Sequence, residues 1–448
     1  MTAEPSQSEP FLPGTGWHGR VWRLSLPIIV ANLTQPLMGM VDSAIMGHQP
    51  DPALIGAVAV GALIFSLLYW GFGFLRMGTT GFAAQAFGAR QREELAACLA
   101  RPMLLAMLLG GIIVACQGPI ADLAFAMIEP SEAVEAPARL YVEIRIWSAP
   151  ASLAAYVVVG WLLAVQDTRW VLALSVITNL LNLFFCLFFV LALDWGIAGV
   201  AAGTLCAEYA TLLISIPVLA WKLGRHGAAP GWARVFEPRR LLALLRVNAD
   251  LFLRTIALEA VFFTFTTAGA RQSDAILAAN ALLLHLHSLT AYALDGFAHA
   301  TETLAGAAWG ARQRSAFKGA IEASTLWAAI FAILFAIAYA IAGPAILRLF
   351  TDHQEIVDVA LEYLPWMVVG PLVSIWSYML DGVFVGATHT GAMRNTMLLS
   401  LLVFLGLVWV LLPSAGNHGL WIAFLAFMLA RGLSLGALLP GLLRRLPA

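Results

Sequence analysis

Long apolar stretches separated by short polar breaks make up nearly the whole chain. A helix needs about 20 apolar residues to cross the hydrocarbon core of a bilayer. A window of that length predicts twelve spans, at 24–47, 54–87, 97–117, 140–165, 170–193, 196–221, 241–270, 274–309, 318–342, 360–387, 395–413 and 416–440. Several exceed the minimum, which predicts tilt, kinks or projection beyond the bilayer.

Two stretches far apart share a motif. Gly88-Ala89-Arg90-Gln91-Arg92 recurs as Gly310-Ala311-Arg312-Gln313-Arg314, an offset of 222, and each copy closes the second helix of its half. At the same offset Tyr156 and Gly160 match Tyr378 and Gly382. Six helices per half is an even number, so both halves enter the membrane in the same sense. That is a parallel repeat about an axis along the membrane normal. The fold class expected is an all-α integral membrane protein of twelve transmembrane helices in two homologous six-helix lobes. The boundaries expected are a disordered tail at 1–16, lobes at 17–221 and 241–440, a cytoplasmic linker at 222–240 and a tail at 441–448.

Lys and Arg set the orientation, because cytoplasmic loops retain positive charge. With the N-terminus inside, 18 of the 25 Lys and Arg residues fall in cytoplasmic loops and tails or at the cytoplasmic ends of spans, and only Arg139, Arg271 and Arg348 fall outside. Arg76, Arg145, Arg254 and Arg431 lie within spans. Both termini are therefore expected in the cytoplasm. The first 16 residues carry Pro, Ser and Glu without a basic start and cleavage site, so they do not read as a signal peptide.

Composition narrows the function. Hydrophobic residues make up 61% and charged residues 11% of the chain, so most of its solvent is lipid. A net charge of −1 gives no basic field for nucleic acid. Cys98, Cys116, Cys186 and Cys206 stand singly in apolar runs, without the spacing of a metal site. Neither Lys222 nor Lys318 sits in a phosphate-binding loop, so no ATP is used, and no hydrolase or dinucleotide motif is present. The chain is not expected to be an enzyme. Uphill transport must then draw on an ion gradient.

Charged groups near the bilayer centre cost about 2.5–3.5 kcal/mol each on insertion scales, which makes retained acids functional candidates. Asp42, Glu208, Glu259, Asp295, Glu302 and Asp381 stand inside predicted spans. In the first helix Asn32, Gln35, Gly39 and Asp42 share one face, beside a backbone interruption at Pro36. Ser175, Asn179, Asn182 and Cys186 form a stripe in the fifth, and Thr204, Glu208, Thr211 and Ser215 in the sixth. The eighth carries His285, Ser288, Tyr292, Asp295, His299 and Glu302 at helical spacing. The seventh adds Thr255 and Glu259, and the tenth Ser374, Tyr378 and Asp381. Such faces line a polar cavity or bond helix to helix. The spacing leaves both readings open.

Several blocks together carry a resemblance. Leu24-Ser25-Leu26-Pro27 leading to Met40-Val41-Asp42, the run from Arg76 to Arg90, Tyr292 to Ala298, and Leu380 to Thr388 with Met393-Arg394-Asn395 resemble the multidrug and toxic compound extrusion (MATE) family, in its DinF branch. The resemblance implies two six-helix lobes around a V-shaped cavity. It also implies export of amphipathic, cationic compounds in exchange for H⁺ or Na⁺, by a monomer in the bacterial cytoplasmic (inner) membrane. Asp42 matches the family's proton-coupling acid and Gln35 a partner position, while Asn179, Asn182 and Thr204 match polar positions lining the same cavity. Glu259 and Asp381 match the acids of the Na⁺-coupled branch, which keeps a Na⁺ site there as the alternative.

The coupling set expected is therefore Asp42, Asn179, Asn182 and Thr204, with Asn32, Gln35, Pro36, Glu259, Tyr292, Asp295 and Asp381 lining the substrate cavity. One departure stands out. The family commonly has an Asp four residues after the second of the fifth-helix asparagines, where this chain has Cys186. Asp42 is accordingly expected to titrate alone among amides, with no basic residue in its cluster. A lipid or lipid-linked saccharide flippase of the same superfamily is the other class considered; it calls for a more cationic cavity.

Overall fold

The computed structural model describes residues 16–47, 53–229 and 231–447, with the backbone only at 35–37. The tail expected at 1–16 therefore lies, but for Gly16, outside the described residues, as do the side chains of Gln35 and Pro36.

Twelve long helices carry the chain among the described residues. They are α1 (Trp17–Gly47), α2 (Ala53–Gly88), α3 (Arg92–Ala115), α4 (Glu132–Ala164), α5 (Thr168–Ala192) and α6 (Gly196–Arg225). The second half contains α7 (Pro238–Ala270), α8 (Asp274–Gly310), α9 (Arg314–Phe350) and α10 (Gln354–Gly386). The segment Thr390–Leu443 breaks at Gly416 (φ 54°, ψ −134°) into α11 and α12, residues 390–415 and 417–443. Of all these, α7 is the least apolar, because it carries Arg239, Arg240, Arg246, Asp250, Arg254 and Glu259.

The expected spans coincide with these helices to within a turn or two. The largest differences are eight residues at the end of α9 (Phe350 against 342) and at the start of α4 (Glu132 against 140), and seven at the start of α1 (Trp17 against 24); α4 and α10, the latter from Gln354 against 360, both begin ahead of their apolar windows. Their first turns hold Glu132 with Glu135, and Glu355, which hydropathy rejects but which the positive end of a helix favours. The short helix Gln117–Ile128 was not among the expected spans. Exposed apolar side chains such as Leu349 (85%) and Trp409 (80%) show what surrounds the helices. Water does not tolerate such a surface and lipid does. The chain is a multi-pass membrane protein.

The repeat extends beyond the shared motif into backbone geometry. Helix starts recur at an offset of 222, Arg92 with Arg314, Glu132 with Gln354 and Thr168 with Thr390. Left-handed residues recur at the same offset: Arg90 (φ 55°) with Arg312 (54°), Gln166 (62°) with Thr388 (54°), and Asp194 (54°) with Gly416 (54°). At Arg90 and Arg312 these are helix C-caps closed by paired turn bonds, Gln91 N–H to Ala86 C=O and Gln313 N–H to Ala308 C=O.

Packing divides the chain into two compact units. One holds 26–83 and 92–256; the other holds the described residues of the N-terminal segment up to 25, with 84–91 and 257 onward. Small residues let the helices meet in each. In the first, a Cβ on Gly160 would lie 2.5 Å from the carbonyl oxygen of Arg76. In the second, a Cβ on Gly382 would lie 2.4 Å from that of Ala298, the same pair shifted by the repeat offset. Close backbone approach of this kind is how helices associate in lipid, where the hydrophobic effect gives no drive between them. The second unit is further filled by aromatic rings, with Phe265 and Trp421 centroids 4.9 Å apart. Beside them Asn280 and Asn417 exchange amide hydrogen bonds of 2.8 and 2.9 Å.

Candidate functional site

Asp42 is the most deeply placed acid of the first unit, 2% exposed, on α1. Four neutral donors from three other helices reach its carboxylate. From α5, Asn182 Nδ2 donates to Oδ1 at 3.4 Å and Cys186 Sγ at 3.6 Å. From α6, Thr204 Oγ1 donates to Oδ2 at 3.3 Å. From α4, Tyr141 OH donates to Oδ2 at 3.4 Å. Strong bonds to a carboxylate run about 2.7–2.9 Å, so every one of these is long. The cradle holds the acid without clamping it as an anion.

Local geometry makes this possible. A Cβ on Gly203 would lie 2.7 Å from the backbone nitrogen of Cys186, so only glycine lets α6 come close enough to bring Thr204 beside Asn182. Those two side chains are bonded at 2.9 Å. Gly61 on α2 does the same for Tyr141, whose ring would lie 2.3 Å from an added Cβ. Two features leave the network unsaturated. Thr204 has one hydroxyl proton for two acceptors, Asp42 and the Val200 carbonyl at 3.2 Å. Asn182 Oδ1 is buried and receives no hydrogen bond. A proton on Asp42 would add a donor where an acceptor lacks one.

The expectation that no basic residue belongs to this cluster is overturned. Arg145, one turn beyond Tyr141 on α4, donates from Nη1 to the Tyr141 hydroxyl at 2.7 Å. A guanidinium only donates, so the Tyr141 oxygen must accept and its own proton points to Asp42. The Arg145 guanidinium also lies over the rings of Phe65 (4.7 Å) and Tyr141 (5.6 Å). It interacts electrostatically with both Asp42 and Glu208. Glu208, one turn below Thr204 on α6, accepts from Ser152 of α4. Ser148 Oγ lies 3.4 Å from Ser152 Oγ and 3.4 Å from the hydroxyl of Tyr69 on α2.

Asn179 sits in the next layer of the α5 stripe. Its Nδ2 donates to the Thr34 carbonyl at 3.2 Å, and Ser175 Oγ meets Thr34 Oγ1 at 2.8 Å. Asn179 thus braces α1 rather than touching Asp42. Asn32, on α1, is partly buried.

In the second unit Asp381 accepts from Arg431 Nη2 at 2.7 Å, with side-chain exposures of 14% and 3%. Its partner comes from α12, a helix to which the expected cavity assigned no residue. Asp295 lies near Tyr292, one turn earlier on α8, close enough to interact electrostatically. Glu259 on α7 is half-buried, and its Oε1 is buried without a hydrogen bond. His287 is buried, its Nε2 3.5 Å from the Tyr378 hydroxyl. Among the described residues no group of three or more His, Cys, Asp or Glu side chains is placed to hold a metal ion.

The MatE family model matches residues 27–188 and 251–410, one copy in each half of the repeat. The chain belongs to the MatE family. DNA damage-inducible protein F of Escherichia coli (strain K12) is 44% identical over 423 residues, 93% of this chain and 91% of that protein. The probable multidrug resistance protein NorM of Thermotoga maritima is 22% identical over 430 residues, 91% and 89% of the two chains. Among solved structures, one described as MATE in the bent conformation superposes with a TM-score of 0.87 at 22% identity, covering 96% of this chain and 97% of that one. The fold is thus the MATE fold, and the resemblance read in the sequence holds.

Tyr141, Arg145, Ser148 and Ser152 did not enter the coupling set expected of a MATE protein. The signal was present. They follow i, i+4, i+7 and i+11 spacing, one face of α4, and Tyr156 continues it. Nothing in the sequence ties this face to Asp42, because its acids lie on other helices and its own charge is an arginine near the end of a predicted span.

Proposed function

We propose that this MATE transporter is a proton-coupled antiporter of the bacterial inner membrane that exports amphipathic, cationic compounds, with Asp42 as the proton carrier. The observation that carries the reading is the cradle of Asp42, a buried carboxylate met by four long neutral hydrogen bonds and, among the described residues, by no direct ion pair. A carboxylate so placed can gain a proton without breaking a strong interaction. Once neutral it becomes a donor, and the amide of Asn182 and the hydroxyl of Thr204 are free to reorganise around it.

In this reading protonation and cargo compete for the same lobe, and the change at Asp42 is passed to α1, whose helix contains Pro36. Asn179, bonded to the α1 backbone at Thr34, transmits it to α5. Lobes at 17–221 and 241–440, cytoplasmic termini and a monomeric state complete the proposal. The relative named for multidrug resistance supports the substrate class.

Glu259 and Asp381 supply the alternative, Na⁺ coupling in the second half. The bare Oε1 of Glu259 favours it, while Arg431 on Asp381 opposes it, since a guanidinium at 2.7 Å competes with a cation. Proteoliposomes under an imposed ΔpH or ΔNa⁺ separate the two. Export driven by ΔpH alone and lost in Asp42→Asn, with the protein still folded, is the expected result. Export driven by ΔNa⁺ and lost in Glu259→Gln, but retained in Asp42→Asn, would replace the proposal.

A further inference from the structure

We propose that Glu208 is the second cation-binding carboxylate of the first lobe, sharing the single guanidinium of Arg145 with Asp42, so that the site holds one positive charge at a time, a proton or a monocationic substrate. The proposal rests on the reading of Asp42 as proton carrier and extends it to the charge of the cargo.

The layering of the lobe carries the argument. Thr204 and Glu208 are one helical turn apart on α6, and Tyr141, Arg145, Ser148 and Ser152 descend one face of α4. The upper layer is Asp42 with Tyr141 and Thr204. The lower layer is Glu208 with Ser152. Arg145 comes from the turn between them. Its Nη1 is spent on Tyr141, it forms no direct ion pair with either carboxylate, and its buried Nε has no hydrogen bond. A cation poised between two acids and bound tightly to neither is free to lean toward whichever is ionised.

Charge balance follows. With both acids ionised, two negative charges face one positive, and the two layers together carry a net −1. Lipid and protein surround them, and an uncompensated charge there is costly. One proton on either acid restores neutrality, and so does one monovalent organic cation held beside them. When the cation leaves, one proton enters, and the carboxylate becomes a carboxylic acid with no other covalent bond changed. The remaining groups facing Glu208 are the neutral phenols Tyr69, Tyr156 and Tyr209; the guanidinium of Arg76 reaches Tyr156, while Arg145 and Asp42 are the charges that act most strongly on Glu208 itself. Cys186 donates to Asp42 and supplies no charge.

The test uses the purified full chain in nanodiscs, with tetraphenylphosphonium as monocation and methyl viologen as dication. Calorimetry in buffers of different ionisation enthalpy reads both affinity and protons released. Wild type should release about one proton per tetraphenylphosphonium bound. Glu208→Gln keeps the bond to Ser152 but leaves one acid balanced by Arg145, and should weaken monocation binding at least tenfold with proton release abolished. Arg145→Gln should shift the dication-to-monocation affinity ratio at least tenfold toward methyl viologen, and Arg145→Lys should restore the wild-type ratio. Melting curves establish that each variant is folded, and Glu208→Asp, which keeps the charge, stands in if Glu208→Gln is not. Unchanged affinity and proton release in Glu208→Gln, or an unchanged ratio in Arg145→Gln, overturns the proposal. If Glu208→Gln is silent while Asp42→Asn abolishes proton release, Asp42 acts alone and the proposed function stands. If Asp42→Asn is silent as well, both fail.

Discussion

Gly88 and Gly310 pack reciprocally against each other's helices. A Cβ on Gly88 would lie 1.9 Å from the carbonyl oxygen of Ala307, and one on Gly310 would lie 2.1 Å from that of Gln85. Ala307 stands to Gln85 as Gly310 stands to Gly88, so the contact maps onto itself under the repeat. The ends of α2 and α8 meet around a local two-fold, and the shared Gly-Ala-Arg-Gln-Arg motif is the sequence trace of that crossing. Gln85 strengthens it by donating to the Gly386 carbonyl at 2.8 Å.

The crossing predicts that Gly88→Ala and Gly310→Ala are each destabilising, because the added carbon meets backbone that cannot rotate away. The cost expected is about 1–3 kcal/mol for each. Their effects should be less than additive, since either one alone already separates the two helices. Thermal unfolding of the two single variants and the double variant in detergent measures this. Full additivity would show that the two sites yield independently.

Gly203→Ala is expected to act on the proton site from outside it. The added Cβ meets Cys186 at Sγ (2.6 Å) and at the backbone nitrogen (2.7 Å), forcing α6 away from α5 and Thr204 away from Asn182. Stability should fall by about 1–3 kcal/mol, and the pH profile of transport should shift although no titrating group has changed. A variant with wild-type pH dependence would show that the cradle tolerates the wider spacing.

On α3, Arg101 clamps the segment that follows α6. It donates to Glu94 at 2.7 and 3.2 Å and to the backbone carbonyls of Arg234 (2.6 Å) and Val235 (3.1 Å). Both side chains are 5% exposed. Arg101→Met leaves the buried Glu94 carboxylate with only the Arg234 guanidinium at 3.8 Å and the Cys98 thiol at 3.7 Å, and should cost about 3 kcal/mol, the low end for a broken buried pair. Adding Glu94→Gln should recover part of that loss. Melting temperatures of the single and double variants provide the comparison, and a double variant no more stable than Arg101→Met would assign the whole effect to the lost contacts with Arg234 and Val235.

His389, in the turn between α10 and α11, accepts from Arg445 Nη1 at 2.7 Å through Nε2. Burial, together with that guanidinium, holds its pKa below the usual 6.5, against a raising contribution from the Ala387 carbonyl. The folded state therefore binds this proton less readily than the unfolded state. Above pH 6.5 the imidazole is neutral in both and costs nothing; as pH falls below 6.5, stability drops until the folded pKa is passed. Melting temperatures between pH 8 and 5 should fall less steeply in His389→Gln than in wild type. Equal slopes would exclude His389 as the source.

Much of this molecule was legible in the sequence, because a bilayer imposes local rules. Each crossing must be about 20 apolar residues long, each loop must be polar, and each intramembrane charge must earn its place. Those rules act residue by residue, so they revealed the twelve helices, the parallel repeat and Asp42 on the polar face of α1. The α5 stripe was legible for the same reason: Ser175, Asn179, Asn182 and Cys186 all turn out to face α1. What tertiary structure alone decided is which polar groups share a charge. Arg145 reaches the Asp42 cluster through Tyr141, 99 residues from that acid in the chain, and Arg431 reaches Asp381 across 50. Periodicity says which residues lie on one face of a helix; it is silent on which helix that face meets. The partners of Asp42 follow from glycines at 61 and 203 that let α2, α4, α5 and α6 close around it.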